Sequence, residues 1–448
     1  MLTDVKKRIT IKITKNTGVD VMMTTENMKE LFKSGAKDEL LMDIYLDEAK
    51  LAYQRDRYVA AIEQFEKLYG AAEVSIYSAP GRSEIGGNHT DHQNGEVLAA
   101  SVNLDAIAIV EATDDGIVKV VSGDYPMITV DVKDLEKKDE EEGTTLSLIK
   151  GVLAGIKDRG GKVGGFKAYV TSDVLIGAGL SSSAAFETII GTITSGLYND
   201  MTISPVDIAI IGQYAENVYF GKPCGLMDQM ASSVGNLVHI DFADKKNPVI
   251  EGVTCDLVKY GYSLCITDTK GSHADLTPDY AAVPAEMRAA AAVFGKEVLH
   301  GVTMEELIEK SAEVRAKAGD RAYLRAIHFV NENVRVQKEV AALKADDFQG
   351  FLATVKDSGD SSYKFLQNVY TSHDVQHQNV SIALAISETV LGNNGVCRVH
   401  GGGFAGTIQA FVKNEAVADY KAVMDKVFGE GACQVLKIRK YGGMKVFE

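Results

Sequence analysis

Hydrophobic positions change their rhythm along the chain, and the changes divide it. From Asp38 to Tyr69, apolar residues at Leu41, Ile44, Tyr45, Ala49 and Leu51 recur at helical spacing, within a stretch, 1–75, that is charge-rich and nearly free of glycine. A helical N-terminal extension is predicted. From Ser75 the texture shifts to short β-like runs such as Val97–Val102 and Ala106–Val110, broken by Gly-containing and acidic turns, and strands are expected to about residue 145. Helical patterning follows over Leu146–Val234, strands return over Val249–Thr267, and a second helical block runs over Ala281–Leu391. Strand-like runs at Val396–Val399, Thr407–Val412 and Val435–Ile438 close the chain. Strands and helices are segregated into blocks, which predicts an α+β fold. At 448 residues the chain exceeds one core, and the expected units are the extension 1–75 and two domains, 76–245 and 246–448.

Composition narrows the class. With 46% hydrophobic and 24% charged residues, 42 Gly and only 7 Pro, the chain reads as an ordinary globular enzyme. Its 62 acidic and 47 basic residues give a net charge of -15, which argues against broad attraction to nucleic acid or an anionic membrane. Any phosphate must then be held locally, by backbone N–H groups, a helix N-terminus and a cation. The five cysteines are scattered and form no C-x-x-C pair, so they read as reduced thiols. No basic segment followed by an apolar run opens the chain, and no apolar run reaches about 18 residues. A cytoplasmic protein, monomeric or weakly self-associating, is the expectation.

Three constellations carry candidate chemistry. The first is Gly177, Ala178, Gly179, Leu180, Ser181, Ser182, Ser183 and Ala184, running into the stripe Phe186, Ile189, Ile190, Ile193, Leu197 of a buried-face helix. Glycines admit an anion close to the backbone, the helix N-terminus offers free N–H groups, and a serine hydroxyl can reach a cation. ATP phosphates fit such a loop; a serine-rich cap is the plainer alternative, but a cap needs one hydroxyl rather than the whole run. No G-x-x-x-x-G-K-[ST] occurs, which excludes the ordinary P-loop.

The second packs Arg82, Glu84, Asn88, His89, Asp91 and His92 into a glycine-punctuated loop after Ala79-Pro80-Gly81. Asp91 can accept two sugar hydroxyls, and Arg82 can supply the positive charge that phosphoryl transfer requires. A metal site on His89, Asp91 and His92 competes, but on a strand His92 would face away from the other two. A solvated polar turn is the third possibility. The last constellation, His400 to Gly406, satisfies G-x-G-x-x-G, yet a strand-like run and not a helix follows it, so a dinucleotide site is rejected. A glycine turn packing against the phosphate loop is expected instead.

A base is also required. Ser204 and Pro205 cap and open a helix that carries Glu216 in its last turns. Asp228 follows in a largely uncharged run that could bury it. Asp228 can accept the proton of an attacking hydroxyl and Glu216 can hold Mg²⁺, although either could be a capping or surface acid.

Together these motifs resemble the GHMP kinases, and the first loop in particular resembles the galactokinases. The match covers Phe65 to the C-terminus: Ala79-Pro-Gly-Arg82, Gly87-Asn-His-Thr-Asp-His92, Gly179-Leu-Ser-Ser-Ser-Ala184, Cys224-Gly-Leu-Met-Asp-Gln229 and the glycine turn 401–406. The resemblance implies an N-terminal domain like the second domain of ribosomal protein S5 and a ferredoxin-like C-terminal domain. It implies an ATP- and Mg²⁺-dependent sugar 1-kinase with Asp228 as base, Arg82 as its charge-stabilising neighbour, and Ser183 and Glu216 toward the metal. His89, Asp91, Gly225 and Tyr280 would hold the sugar, with Asn88 in the same loop.

Two departures matter. The family has Glu where this chain has Asn88, and Tyr where it has His92. A neutral amide in place of that Glu, which in the family meets the C6 end of the sugar, would admit a uronic acid, so a galacturonokinase is an alternative reading. A non-catalytic sugar sensor is another, although such sensors can lack the Ser183-Ala184 pair present here. The N-terminal extension is longer than the family usually carries.

Overall fold

The computed structural model describes residues 23–174, 179–222, 224–244, 248–271 and 276–447. Its frame is a nine-stranded mixed sheet. One path runs from Met23–Thr24 through Glu73–Gly86, Glu96–Thr113, Gly165–Ser172 and Ile117–Ser122 to Ile128–Asp131. The long central strand Glu96–Thr113 forks: its second half pairs with Gly165–Ser172, while its first half pairs with Leu237–Asp241, which in turn pairs with Val249–Val253. A second sheet of four antiparallel strands has the order Gly395–His400, Thr407–Lys413, Tyr262–Asp268, Cys433–Leu436.

The run Ala106–Val110 shows why the central strand reads as continuously apolar rather than alternating. Ala106, Ala108 and Val110 face a helical layer that includes Thr145–Asp158 and Ser182–Tyr198, whereas Ile107 and Ile109 face the N-terminal helices. With both faces covered, every position is buried. The extension therefore has a structural account: Met28, Phe32, Ile44, Tyr58, Ile62 and Phe65 pack on Val74, Ile76, Ile107 and Ile109. A buried charge cluster locks this layer in place. Asp105 accepts from Arg57 at 2.7 Å, Arg439 at 2.9 Å and Tyr45 at 2.9 Å, and from the Ser78 hydroxyl. Burial alone would raise its carboxyl pKa; the two guanidinium groups outweigh that and hold it low.

Several boundaries differ from the sequence reading. The helical repeat over 38–69 is two helices, Asp38–Tyr45 and Leu51–Tyr69, because Leu46 takes a left-handed conformation at φ 54° that ends the first. The strand Gly165–Ser172 lies inside the predicted helical block; Phe166, Ala168 and Val170 alternate into the core, a period-2 signal masked by helices on either side. Val249–Thr267 is two strands in different sheets, Val249–Val253 in the large one and Tyr262–Asp268 in the small. The closing strand is Cys433–Leu436, earlier than expected, and Met444–Lys445 then returns to pair with Glu73–Gly86. One shared core joins the sheets: Leu98, Ala100 and Val102 of the large sheet meet Leu264, Ile266, Phe411 and Leu436 of the small.

Candidate active site

A cavity of ≈ 230 Å³ opens where the strand Glu73–Gly86, the loop after it, the helix Met227–Val234 and the turn Gly401–Gly402 converge. Arg82 and Glu84 come from the strand, His89, Asp91 and His92 from the loop, Gly225, Met227 and Asp228 from the helix entry. The loop is not a strand at His89 to His92. His89 sits at φ 62° and Asp91–Gln93 is one 3-10 turn, so all three side chains reach the cavity, unlike the strand-based expectation for His92. Gly225 permits this approach: a Cβ there would lie 2.3 Å from Asp91 Oδ2.

Arg82 and Asp228 form a bidentate pair. Arg82 Nε donates to Oδ1 and Nη2 to Oδ2, both at 2.6 Å. Burial would push the Asp228 pKa up, but the guanidinium and the Ser181 hydroxyl, which donates to Oδ2 at 2.8 Å, hold it below the usual carboxylate value. Asp228 is thus an ionised acceptor at neutral pH. Arg82 Nη1 also donates to the Gly179 carbonyl, so one side chain ties the base candidate to the glycine-serine loop.

That loop opens the helix Ser182–Tyr198 without a side-chain cap, because the Ser181 hydroxyl is turned to Asp228 and Ser181 itself is left-handed at φ 55°. The first N–H groups of the helix have no side-chain acceptor, which suits an anion. Gly179, Leu180, Ser181, Ser182, Ser183 and Ala184 build this terminus; Gly177 and Ala178 lie outside the described residues. The strand residues on either side of the glycine turn pack here: a Cβ on Gly179 would lie 2.9 Å from Thr407 Oγ1 and 3.0 Å from His400 Nδ1. Thr407–Lys413 after the turn is a strand.

Ser183 Oγ donates to Glu216 Oε1 at 3.3 Å. Glu216 sits on the π-helical turn Ala215–Tyr219 that ends the helix Pro205–Tyr214, and Lys222 and Gln229 donate to its two oxygens at 3.0 and 2.8 Å. Beside it, burial first and then Glu216 drive the Glu187 carboxyl well above its ordinary pKa, and Glu187 Oε1 has no hydrogen bond. The Ser183 hydroxyl and the Glu216 carboxylate are oxygen donors of the kind Mg²⁺ takes.

Two expected sugar contacts are set back from the cavity. Asn88 is fully buried; its Nδ2 donates to Glu84 Oε1 and to the Gly401 carbonyl, both at 2.8 Å, and its Oδ1 accepts from Asn368 at 2.7 Å. Tyr280 lies behind the glycine turn, its hydroxyl donating to the Gly403 carbonyl at 2.8 Å and its ring against Gly402. Conversely, Glu84 lines the cavity although sequence reading gave it no role; its place two residues after Arg82 on one strand was the available signal. His400, which precedes the glycine turn, lies 3.1 Å from Ser83 Oγ and 2.8 Å from Thr407 Oγ1. Burial, with Arg82 and Arg398 beyond it, lowers its pKa to about 3 and keeps it neutral.

Comparison with known proteins places this arrangement. The galactokinase galactose-binding signature matches residues 63–112, and the GHMP kinases N terminal domain matches 147–236. A galactokinase of Glaesserella parasuis is 33% identical over 356 residues, 79% of this chain and 89% of that protein. The chain belongs to the galactokinase family. A second member, the galactokinase of Streptomyces coelicolor, is 30% identical over 82% of this chain and 92% of its own. The fold agrees: Lactococcus lactis galactokinase complexed with galactose superposes with a TM-score of 0.72 at 24% identity, covering 86% of this chain and 98% of that one. Methanococcus jannaschii mevalonate kinase, at 14% identity, gives 0.57 over 82% and 98%. The family's two-domain α+β kinase fold is therefore the fold of this sugar kinase. Among the described residues no helix is long and apolar enough to cross a membrane.

Proposed function

We propose that the protein transfers the γ-phosphoryl group of ATP to the anomeric hydroxyl of galactose, forming galactose 1-phosphate. The observation that carries this reading is the position of Asp228, paired with Arg82 in the sugar cavity and bonded through Ser181 to the uncapped helix terminus. Sugar and phosphate sites are thereby adjacent, with the two loops and the residues of the glycine turn around them.

In the reaction the anomeric hydroxyl lies against Asp228, which takes its proton. A carboxylate of lowered pKa is a weak base, and that suits a loose phosphoryl-transfer transition state in which the nucleophile loses its proton late. Arg82 offsets the charge on the transferring group, and the N–H groups that open Ser182–Tyr198 hold phosphate oxygens. Asp91, backed by Gly225, accepts ring hydroxyls, while His89 is held neutral: burial, ahead of His92, lowers its pKa to about 4. Ser183 and Glu216 are the residues that would hold Mg²⁺, which neutralises phosphate charge when bound.

A coupled ADP-release assay across galactose, galacturonate, N-acetylgalactosamine and arabinose tests the assignment. Galactose should give the highest kcat/KM; an inert response to galactose overturns it.

A further inference from the structure

The sugar cavity contains one carboxylate that neither proton transfer nor Asp91 accounts for. Glu84 follows Arg82 by two positions, and the register over Arg82, Ser83 and Glu84 against Ser101, Ala100 and Ala99 is regular, so both side chains leave one face of the strand. They are separated by roughly 7 Å of strand, about the breadth of a hexose ring. With the anomeric hydroxyl at Asp228 and Arg82, Glu84 stands at the opposite end of the sugar.

Its surroundings fix it there. Glu84 is 5% exposed, and Oε1 accepts from Asn88 Nδ2 and from Arg398 Nη2, each at 2.8 Å. Arg398 is itself anchored on the Ile85 carbonyl at 2.6 Å. Among the described residues no donor reaches Oε2, while the residue lines the cavity. A fixed carboxyl group with a spare oxygen accepts from a hydroxyl when ionised and can donate to one when protonated. Asn88, by contrast, spends its amide on Glu84, Gly401, Asn368 and Ser362 and is fully buried.

We propose that Glu84 is the specificity-determining residue of the sugar site, accepting hydroxyls at the end of the hexose remote from the anomeric carbon, with Asn88 and Arg398 as its positioning residues. This rests on the reading of the cavity as a galactose site and deepens it. A sugar carrying a carboxylate at C6 would meet Glu84, ionised above about pH 7, in a cavity that already holds Asp91 and Asp228 against Arg82. Galacturonate is therefore disfavoured, the reverse of what Asn88 in the sequence suggests on its own.

The test compares wild type and Glu84→Gln on galactose, 6-deoxygalactose and galacturonate, with KM for ATP and Tm as controls. Wild type should favour galactose over both analogues in kcat/KM. The variant should raise the galactose KM about tenfold or more, raise that for 6-deoxygalactose less, and leave the ATP KM within about twofold. Its galacturonate-to-galactose ratio should rise. A galactose KM unchanged in the variant, or wild type using galacturonate as well as galactose, overturns the proposal while leaving the kinase assignment intact. Should the variant not fold, wild type decides alone: equal kcat/KM for galactose and 6-deoxygalactose overturns it. A wild type inert on every sugar overturns the galactose reading of the cavity and this assignment with it.

Discussion

Arg82 holds Asp228 by both carboxylate oxygens, at 2.6 Å each, which ties the strand Glu73–Gly86 to the helix Met227–Val234, while Ser181 donates to Asp228 from the loop that opens the phosphate site. Asp228→Asn keeps the shape and loses the acceptor. Turnover should fall by about 100- to 10,000-fold while the Kd for ATP, read by calorimetry, changes little. Wild-type turnover in this variant would remove Asp228 from the chemistry.

Ser183 and Glu216 predict a different signature. Glu216→Gln and Ser183→Ala should each shift the Mg²⁺ concentration for half-maximal rate upward by roughly tenfold, with the galactose KM nearly unchanged. Lys222 bonds Glu216 at 3.0 Å, so the buried position stays partnered in the amide variant. An unchanged Mg²⁺ titration in both variants would place the cation elsewhere.

Much of this site was legible in the sequence because each loop carries residue types of limited alternative use. The run Gly179 to Ala184 and the carboxylate Asp228 stand out by composition, and the structure brings them within one hydrogen bond. What the sequence hid depends on which way side chains turn. Glu84, near the end of the strand, and Asn88, in the loop after it, lie four residues apart, and only the φ 88° turn at Gly87 and the bonds to Asn368 and Arg398 decide that Glu84 lines the cavity and Asn88 does not. The fold followed the same rule. Long blocks declared themselves, whereas Gly165–Ser172 was lost among helices and the covering role of the extension needed Ile107 and Ile109 to be seen from both faces.

The extension makes a stability prediction. Asp105→Ala leaves Arg57 and Arg439 buried without their shared partner, at a cost of about 3–5 kcal/mol. Tm should fall markedly, with the far-UV signal of the remaining protein preserved. Because the folded Asp105 pKa is depressed, its contribution is present above the unfolded value of about 3.9 and is lost as pH falls through the folded one. A variant as stable as wild type near neutral pH would refute this role.

Glu84 carries the opposite sign. Burial lifts its pKa to about 7; Asp91 adds to the lift, and Arg398, Asn88 and Arg82 pull the other way, with Glu339 facing the same charges. The folded state thus retains a proton that the unfolded chain releases at lower pH. The stability this gives is full below the unfolded value and lost as pH rises through about 7. Relative to wild type, the Tm of Glu84→Gln should rise between about pH 5 and pH 8. A pH-independent difference would show that Glu84 is ionised throughout.

The most direct test of the account is the phosphorus NMR spectrum of the product formed from galactose and ATP. The account predicts a sugar phosphate signal coupled to the anomeric proton, appearing with stoichiometric ADP and absent with Asp228→Asn. Phosphate on another hydroxyl, or ATP consumed without a phosphorylated sugar, would contradict it.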